Sequence, residues 1–291
     1  MKKVKRETKR NIIQLMAMVL FNGYAIGYQK GSIFTGKSKQ VCVPVLNCYS
    51  CPGALGACPI GSLQSLISGY KYRLSFYVLG TLMLFGVLLG RVICGFLCPF
   101  GWLQDLLHKI PVKKVKVPAK LDKYLRYLKY VMLFLFVLIL PIVVRDEFGL
   151  GKTWFCKYVC PAGTFGAGLP LITLNAPLRN SIGGLFGWKL SILILIIVLS
   201  LIIYRPFCKY LCPLGAFYSF FNKFSLYRLE VDKSQCVNCK ACERTCKMGV
   251  EVTKDINSPE CIRCGNCMDA CPKSCIHRAK FFPSQVSKKK E

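Results

Sequence analysis

The chain has 291 residues, 53% of them hydrophobic, and a mean hydropathy of +0.41. This composition is too apolar for an ordinary soluble domain and indicates a membrane protein. The formal net charge of +28 would suit a nucleic-acid binder, but the basic residues are spread over separate segments, so we expect no nucleic-acid partner.

Four segments can cross a hydrocarbon core of about 30 Å, which takes roughly 17–25 helical residues. They are residues 11–28, 74–90, 127–144 and 188–204. The first is interrupted by polar residues and could instead be a signal peptide. Because no A-x-A-like cleavage site follows it, we expect it to be retained as a span.

Lysine and arginine are concentrated on one side of this four-span arrangement. Residues 1–10, 91–129 and 205–291 carry thirty-one of the forty-one, whereas the connections 30–73 and 145–189 carry five each. Cytoplasmic loops carry such an excess. We therefore predict a multi-pass protein of the cytoplasmic membrane with both termini in the cytoplasm, its basicity due mostly to topology and attraction to anionic lipid.

The two helix pairs end on similar sequences, RVICGFLCPFG at residues 91–101 and RPFCKYLCPLG at residues 205–215, with equivalent cysteines 114 positions apart. Both pairs start inside, so an axis along the membrane normal would bring equivalent residues together. The two external loops are apolar. They could dip into the membrane as re-entrant helices or form an interfacial cap.

The unit Cys-Pro-x-Gly recurs along the chain, at residues 58–61, 98–101, 160–163 and 212–215, with the variant CPGA at 51–54. Proline is favoured at the first helical position, so each preceding cysteine is predicted to cap a helix N-terminus. The helix dipole and free N–H groups there stabilise a thiolate, which is the form that binds metal.

Four cysteines of the paired motifs form a predicted inner site at the cytoplasmic surface: Cys94, Cys98, Cys208 and Cys212. Four thiolates can hold an additional iron–sulfur cluster, hold copper(I) or zinc, or act as two redox-active dithiols. Their spacing and repetition argue against cysteines that only fill the core. We favour the cluster and leave the other two open.

The external loops contain six more cysteines: Cys42, Cys48, Cys51, Cys58, Cys156 and Cys160. A second additional cluster is expected on the opposite side of the membrane from four of them, Cys48, Cys51, Cys156 and Cys160, with Cys42 and Cys58 as alternates. In an oxidising exterior Cys42 and Cys58 could form a disulfide, and all six could instead be disulfides.

After Tyr227 come two cysteine-rich runs, CVNCKACERTC at residues 236–246 and CIRCGNCMDACP at 261–272. Both read C-x2-C-x2-C-x3-C, the bacterial ferredoxin pattern in which the fourth cysteine of each run serves the other [4Fe–4S] cluster. The predicted ligands are Cys236, Cys239, Cys242 and Cys271 for cluster 1, and Cys261, Cys264, Cys267 and Cys246 for cluster 2. Zinc does not call for this eight-cysteine pattern. Cys275 is left over.

The predicted fold is an α-helical membrane protein of four transmembrane helices in two repeated pairs, with re-entrant segments as an option, followed by a C-terminal α+β two-[4Fe–4S] ferredoxin domain. The predicted divisions are a basic cytoplasmic N-terminus (1–10), a first membrane repeat (11–90) with its external loop (30–73), a basic cytoplasmic connection with the CxxxCP motif (91–126), a second membrane repeat (127–220) with its external loop (145–187) and CxxxCP motif (208–213), the ferredoxin domain (228–280) and a basic tail (281–291).

Four spans, the paired CGFLCP and CKYLCP sequences and the C-terminal double ferredoxin together resemble the NapH/NosR/CcoG-like family of membrane iron–sulfur proteins, in its short, NapH-like form. The resemblance implies electron transfer between the quinol pool and redox partners, or maturation of metal centres. It identifies Cys94, Cys98, Cys208 and Cys212 as the paired family motif. The loop LNCYSCPGALGACPIG departs from the simplest pattern and suggests redox chemistry at the outer face as well.

The main hypothesis is a membrane electron conduit between the quinone pool, or an extracytoplasmic redox partner, and the cytoplasmic clusters, which would serve a cytoplasmic redox protein. Tunnelling falls off exponentially with distance, so a bilayer of about 30 Å needs intermediate centres. The only histidines are His108 and His277, outside the spans, which excludes bis-histidine haem within the bilayer. A metal-handling or cofactor-assembly factor and a membrane redox sensor are the alternatives.

Overall fold

The computed structural model describes residues 2–69, 76–115 and 117–279. In chain order the α-helices are α1 (Lys2–Phe21), α2 (Ala25–Lys30), α3 (Pro59–Ile67), α4 (Phe76–Leu89), α5 (Val92–Phe96), α6 (Pro99–Lys109), α7 (Ala119–Val131), α8 (Leu140–Val143), α9 (Pro161–Gly163), α10 (Leu169–Leu174), α11 (Ala176–Asn180), α12 (Gly184–Ile202), α13 (Pro206–Tyr210), α14 (Pro213–Phe221), α15 (Ala241–Thr245) and α16 (Asn266–Ala270). A 3₁₀-helix covers Lys37–Gln40, and π-helical segments cover Met132–Ile139, Phe155–Val159 and Thr164–Gly168. The strands are β1 (Leu229–Val231) and β2 (Ile276–Arg278), paired antiparallel.

Two helices in the described part of the chain are long and apolar enough to cross a membrane. They are Ala119–Val143, in which α7 continues through a π-helical segment into α8, and α12. Only 22% and 17% of their most apolar windows are buried, so most of these side chains face outward. The third predicted span is represented by α4, which has 14 residues, fewer than the roughly 17 needed to cross. Residues 70–75 before it lie outside the described part. The four predicted spans are thus matched by two full-length helices.

The first predicted span, residues 11–28, is not one helix, because α1 ends and α2 begins within it. The break lies at Asn22, whose side-chain amide donates to the Met18 carbonyl at 3.3 Å. Gln14, which interrupts the apolar run, is fully buried and donates to the Gly95 carbonyl at 3.0 Å. The polar residues of this segment therefore serve contacts within the protein.

The repeated sequence motifs have a repeated local structure. In each, a short helix, α5 or α13, is followed by a Cys-Pro pair and a second helix, α6 or α14. Arg91 and Arg205 immediately precede the short helices, and each turn uses a left-handed residue, Gly90 in the first half and Arg205 itself in the second. α6 packs against α1 and α12, while α14 packs against α4 and α7.

Both external loops contain short helices that pack against the rest of the protein. α3 buries most of its side chains and contacts α4 and α8. In the second loop, α9 continues through Thr164–Gly168 into α10, and these elements contact α12 and α2. Packing inside the protein accounts for the apolar character of α3, whereas α10 has no buried residue and large apolar side chains of the second loop, such as Phe165 and Leu174, are exposed. The depth of the loops in a membrane stays a prediction.

The C-terminal segment has the predicted mixture of short helices and a small sheet. Its two cysteine-rich runs adopt the same loop, because Asn238 and Lys240 in the first, and Arg263 and Gly265 in the second, have φ values between 50° and 80°. This left-handed conformation is uncommon for residues other than glycine. It turns the backbone at equivalent points of both runs.

Buried charged residues hold the C-terminal segment against the helical part. Glu260 accepts hydrogen bonds from Arg91 at 3.1 Å and from Lys129 at 2.5 Å, and all three side chains are buried. Arg263 is also buried and donates to the Ser225 hydroxyl at 2.6 Å. Helix α1 contacts α16 as well, so both ends of the described chain meet on this side of the molecule.

The backbones of the two parts approach each other closely at Gly95 in α5. A Cβ at Gly95 would lie 2.5 Å from the Ile262 carbonyl oxygen, so only a hydrogen atom fits there. We predict that Gly95→Ala lowers the free energy of unfolding by about 1–3 kcal/mol, because the two backbones must move apart. Denaturant unfolding in detergent measures this loss.

Gly80→Ala in α4 is the matched control, since nothing lies within 4 Å of a Cβ at Gly80. We expect it to leave the protein as stable as before, or to stabilise it by a few tenths to 1 kcal/mol, roughly, through the lost freedom of the unfolded chain. Equal effects of the two substitutions would contradict the tight contact at Gly95.

Candidate metal centres

The cysteine of every Cys-Pro-x-Gly unit caps a helix, as predicted. Helices α3, α6, α9 and α14 begin after these N-cap residues: Cys58, Cys98, Cys160 and Cys212. In the last unit the Gly215 N–H donates to the Cys212 sulfur at 3.3 Å, and in the other three units the backbone of the glycine lowers the pKa of the cysteine. Cys51 of the CPGA variant lies in a turn instead.

Burial opposes the thiolate that the helix N-terminus favours. It raises the pKa of Cys58 and of Cys98 to about 11 and that of Cys160 to about 12, although the glycine N–H groups lower it. At neutral pH these side chains are therefore thiols in the absence of a bound cation. The thiolate is destabilised by its loss of hydration more than it is stabilised by the helix N-terminus. Metal binding must displace their protons.

The structure brings the four predicted inner cysteines together. All of them are buried. Burial raises the pKa of Cys212, and the neighbouring sulfurs of Cys208, Cys94 and Cys98 raise it further. This inner set, Cys94, Cys98, Cys208 and Cys212, takes two sulfurs from each half of the repeat.

Two fully buried arginines, one from each half of the repeat, make reciprocal contacts with the other half. Arg205 donates to the Cys94 carbonyl at 2.6 Å, and Arg91 donates to the Cys208 carbonyl at 3.1 Å. Each half therefore supplies the cation beside the first cysteine of the other half. Gln104 donates to the Cys208 sulfur at 3.1 Å. Positive charge and N–H donors lower the cost of placing an anionic group here.

Carboxylates compensate the buried arginines. Asp105 accepts from both the Nε and the guanidinium end of Arg205, at 2.7 Å for the Nε contact, and from Arg10 at 3.2 Å. Burial alone would raise the pKa of Asp105, but the charges of Arg205 and Arg10 outweigh burial and hold this pKa below its ordinary value. Glu260 plays the same part for Arg91. The inner set is thus framed by paired charges.

The eight ferredoxin cysteines line two separate cavities, grouped as the spacing predicts. The first ferredoxin set, Cys236, Cys239, Cys242 and Cys271, lines the first cavity together with Cys275, and the second ferredoxin set, Cys246, Cys261, Cys264 and Cys267, lines the other. The leftover Cys275 is buried, with its sulfur 3.3 Å from the sulfur of Cys271, so it lies beside the first set. Cluster binding at both sets stays a prediction.

The six cysteines of the external loops lie in different surroundings. Four of them line one cavity of about 350 Å³: Cys48, Cys58, Cys156 and Cys160. Cys51, which the sequence grouped with three of these, lines an adjoining cavity, and its sulfur lies 3.1 Å from the Tyr28 hydroxyl. Cys42 is buried in the core. All nineteen cysteines lie in the described ranges and are free in this structure.

The donor chemistry of these sets fits iron–sulfur clusters. Each [4Fe–4S] cluster takes four cysteine thiolates, and the inner set and both ferredoxin sets offer four each. Within the described ranges, no three Cys, His, Asp or Glu side chains converge closely enough to hold a single metal ion.

Several residues around the cysteines were not predicted from the sequence. Arg91 and Arg205 had a visible signal, because both begin the repeated motifs RVICGFLCPFG and RPFCKYLCPLG. Lys189 donates to the Cys156 carbonyl at 3.3 Å. In all three C-x3-C-P motifs, therefore, a basic side chain donates to the carbonyl of the first cysteine: Arg205 at Cys94, Arg91 at Cys208 and Lys189 at Cys156. Only the fold, which brings α12 against the second external loop, reveals the contact of Lys189.

Comparison with known proteins identifies relatives for most of the chain. A 4Fe-4S binding domain family matches residues 72–118, 128–170 and 185–230, and each stretch contains one C-x3-C-P motif. The uncharacterized protein MJ0750 of Methanocaldococcus jannaschii is 37% identical over 67% of this chain and 75% of its own length. The methylamine utilization ferredoxin-type protein MauN of Paracoccus denitrificans is 32% identical over 67% and 62%. The ferredoxin-type protein NapH of Haemophilus influenzae is 28% identical over 65% and 62%.

No solved structure matches the chain. The matched domain includes the paired motifs whose cysteines form the inner set. Two of the relatives are ferredoxin-type proteins by name, in keeping with the two cysteine-rich runs and their left-handed loops. The chain belongs to the NapH/NosR-like family of 4Fe–4S ferredoxin-type proteins.

Proposed function

We propose that this protein is a four-span electron conduit of the cytoplasmic membrane with both termini in the cytoplasm. It moves electrons between the quinone pool, or an extracytoplasmic redox partner, and a cytoplasmic redox protein. Membership of an iron–sulfur ferredoxin-type family supports electron transfer. The outward-facing apolar helices support the membrane location, and the basic segments support the orientation.

The contiguity of the cysteine sets is the observation that carries this proposal. Gly95, the neighbour of Cys94, touches Ile262, the neighbour of Cys261, so the inner set adjoins the second ferredoxin set. The two ferredoxin sets are interleaved, because the first set takes Cys271 from the second cysteine-rich run and the second set takes Cys246 from the first run. Because the rate of electron tunnelling falls off exponentially with distance, cysteine sets that adjoin one another favour an electron-transfer path, whereas widely separated sets do not.

The residues of the chain contribute position, insulation and charge. Iron–sulfur clusters, when bound at these sets, supply one-electron carriers. Burial of the inner cysteines keeps water away from the sulfurs. The two buried arginines stabilise negative charge at the inner set, while Asp105 and Glu260 keep the arginines themselves compensated.

An apolar cavity of about 160 Å³ is the place where we propose a quinone ring binds. It lies between Cys48 and Cys51 of the outer loop and Pro99 at the start of α6. Most of its lining is apolar, and Tyr28 and Asn22 provide polar groups at its wall. Quinone pockets need this combination of an apolar body and a few polar contacts.

Iron and acid-labile sulfide per chain, measured on anaerobically purified protein, test the inner set. We predict that replacement of Cys94 and Cys208 by Ser removes about four irons, since four thiolates hold one [4Fe–4S] cluster. Cys42→Ser, which is buried in the core and lines none of the cavities of the four-cysteine sets, is the control and should keep the full iron content.

An unchanged iron content in the Cys94→Ser, Cys208→Ser variant would show that the inner set holds no cluster and is not part of the electron path. Copper bound at these four cysteines, in place of iron, would favour the metal-handling function. About eight irons in the unaltered protein, the number for two ferredoxin clusters alone, would likewise contradict a conduit.

A further inference from the structure

We propose that Cys48, Cys58, Cys156 and Cys160, here called the outer set, hold a fourth iron–sulfur cluster of the [4Fe–4S] type. They line one cavity of about 350 Å³. This set differs from the grouping expected from the sequence, because Cys58 takes the place of Cys51. The outer set would extend the proposed electron path, but cluster binding can be measured whether or not electrons flow.

Glycines from each external loop show that the two loops close on the same cavity. A Cβ at Gly61 would lie 3.8 Å from the sulfur of Cys156 in the other loop. A Cβ at Gly163 would lie 3.6 Å from the sulfur of Cys48, again across the loops, and 4.0 Å from that of Cys160. Each loop therefore brings two sulfurs to the cavity, and the missing side chains leave room beside them.

The outer set uses the same local structure as the inner set. FCKYVCPAG at residues 155–163 repeats FCKYLCPLG at residues 207–215 with two changes. In both sets, one cysteine from each half caps a helix at a Cys-Pro-x-Gly unit. In the outer set these are Cys58 and Cys160. The same arrangement of donors indicates the same kind of ligand.

The charge around the outer set suits an anionic cluster. Lys189 donates to the Cys156 carbonyl at 3.3 Å, as the two buried arginines do at the inner set. None of the residues that line the cavity is Asp or Glu. A negatively charged cluster on these four thiolates would therefore have the cation of Lys189 nearby and no carboxylate in the wall of its cavity.

The outer set lies close to the inner set. The backbone of Leu46 lies beside the Cys98 thiol, and that of Asn47, the next residue, lies beside the Cys58 thiol. Because adjacent residues are about 3.8 Å apart, one short stretch of backbone joins the two sets. Tyr218 is fully buried and donates to the carbonyl of Pro44, two residues before Leu46, at 2.9 Å. The outer set therefore continues the row of adjoining cysteine sets.

Iron and acid-labile sulfide on anaerobically purified full-length protein test the outer set. Cys58→Ser and Cys156→Ser should each lose about four irons and four sulfides relative to the unaltered protein. Cys51→Ser and Cys42→Ser are matched controls from the same loop and should lose none. The reverse result, with iron lost on changing Cys51 and kept on changing Cys58, overturns the proposed set.

Zinc bound in place of iron, or a disulfide among the four cysteines, overturns it as well. If the outer variants do not accumulate, the Cys94→Ser, Cys208→Ser protein decides the matter. It should retain about twelve irons, for two ferredoxin clusters and the outer one, and about eight would exclude an outer cluster. Loss of electron transfer with all irons retained would count against the proposed function and leave the outer set standing.

Discussion

Asp105→Asn is expected to lower the free energy of unfolding by about 3–5 kcal/mol, since removal of one partner of a buried ion pair leaves an uncompensated charge. The charge in question is that of Arg205, which is fully buried, with Arg10 as a second. Because Arg205 also donates to the Cys94 carbonyl, the variant should lose iron at the inner set before it loses iron from the ferredoxin sets. Denaturant unfolding and iron content measure the two effects.

Glu251→Gln is the control for Asp105→Asn. Glu251 pairs with Lys254 at 2.6 Å, but the two side chains are 64% and 79% exposed. Exposed pairs contribute about 0–1 kcal/mol, so this variant should unfold almost like the unaltered protein and keep its iron. A similar small effect at Asp105 would mean that Arg205 finds another partner or reaches water.

Glu260→Gln is expected to loosen the C-terminal segment from the helical part, again at a cost of about 3–5 kcal/mol. Two buried cations, Arg91 and Lys129, then lose their shared carboxylate. Hydrogen exchange of the amides in residues 261–271 should quicken, whereas the amides of α12 should be unaffected. Glu230→Gln on β1, half exposed and 3.7 Å from Arg228, is the control and should leave exchange unchanged.

Acid should produce the same loosening without a mutation. Burial would raise the pKa of Glu260, but the charges of Arg91 and Lys129 outweigh it and hold this pKa below its ordinary value. A carboxyl with a depressed folded-state pKa stabilises the fold above its unfolded pKa, and this contribution is lost as the pH falls through the folded pKa. Protection of the amides in residues 261–271, taken relative to the intrinsic exchange rate at each pH, should therefore fall in acid, below the ordinary range of a glutamate, and this step should be absent from the Glu260→Gln protein.

Local patterns in the sequence predicted the parts of the sites that depend on local structure. The Cys-Pro-x-Gly units cap helices because proline and the glycine N–H act within one turn. The grouping of the ferredoxin cysteines follows from the spacing of two runs that form the same loop. The thiolate expected at the N-caps is the exception, since burial, which depends on the whole fold, raises the pKa of Cys58 and Cys98.

The composition of the outer set could not be predicted in the same way. Cys51 and Cys58 stand in the same loop and both precede proline, so spacing alone does not choose between them. The fold decides, because α3 begins after Cys58 and brings its glycine next to Cys156, whereas Cys51 turns toward Tyr28. The four spans and the distribution of basic residues also predict that the two sets lie on opposite sides of a bilayer. The buried loop around Leu46 and Asn47 brings them together.

The exchange of Arg91 and Arg205 between the halves makes the two halves interdependent. A fragment that ends before the second half would keep Arg205's partners, Asp105 and the Cys94 carbonyl, but not Arg205 itself. It would also leave Arg91 without the Cys208 carbonyl and without Glu260. The halves should therefore fold as one cooperative unit, and a gene split between them should yield stable protein only when both fragments are produced together.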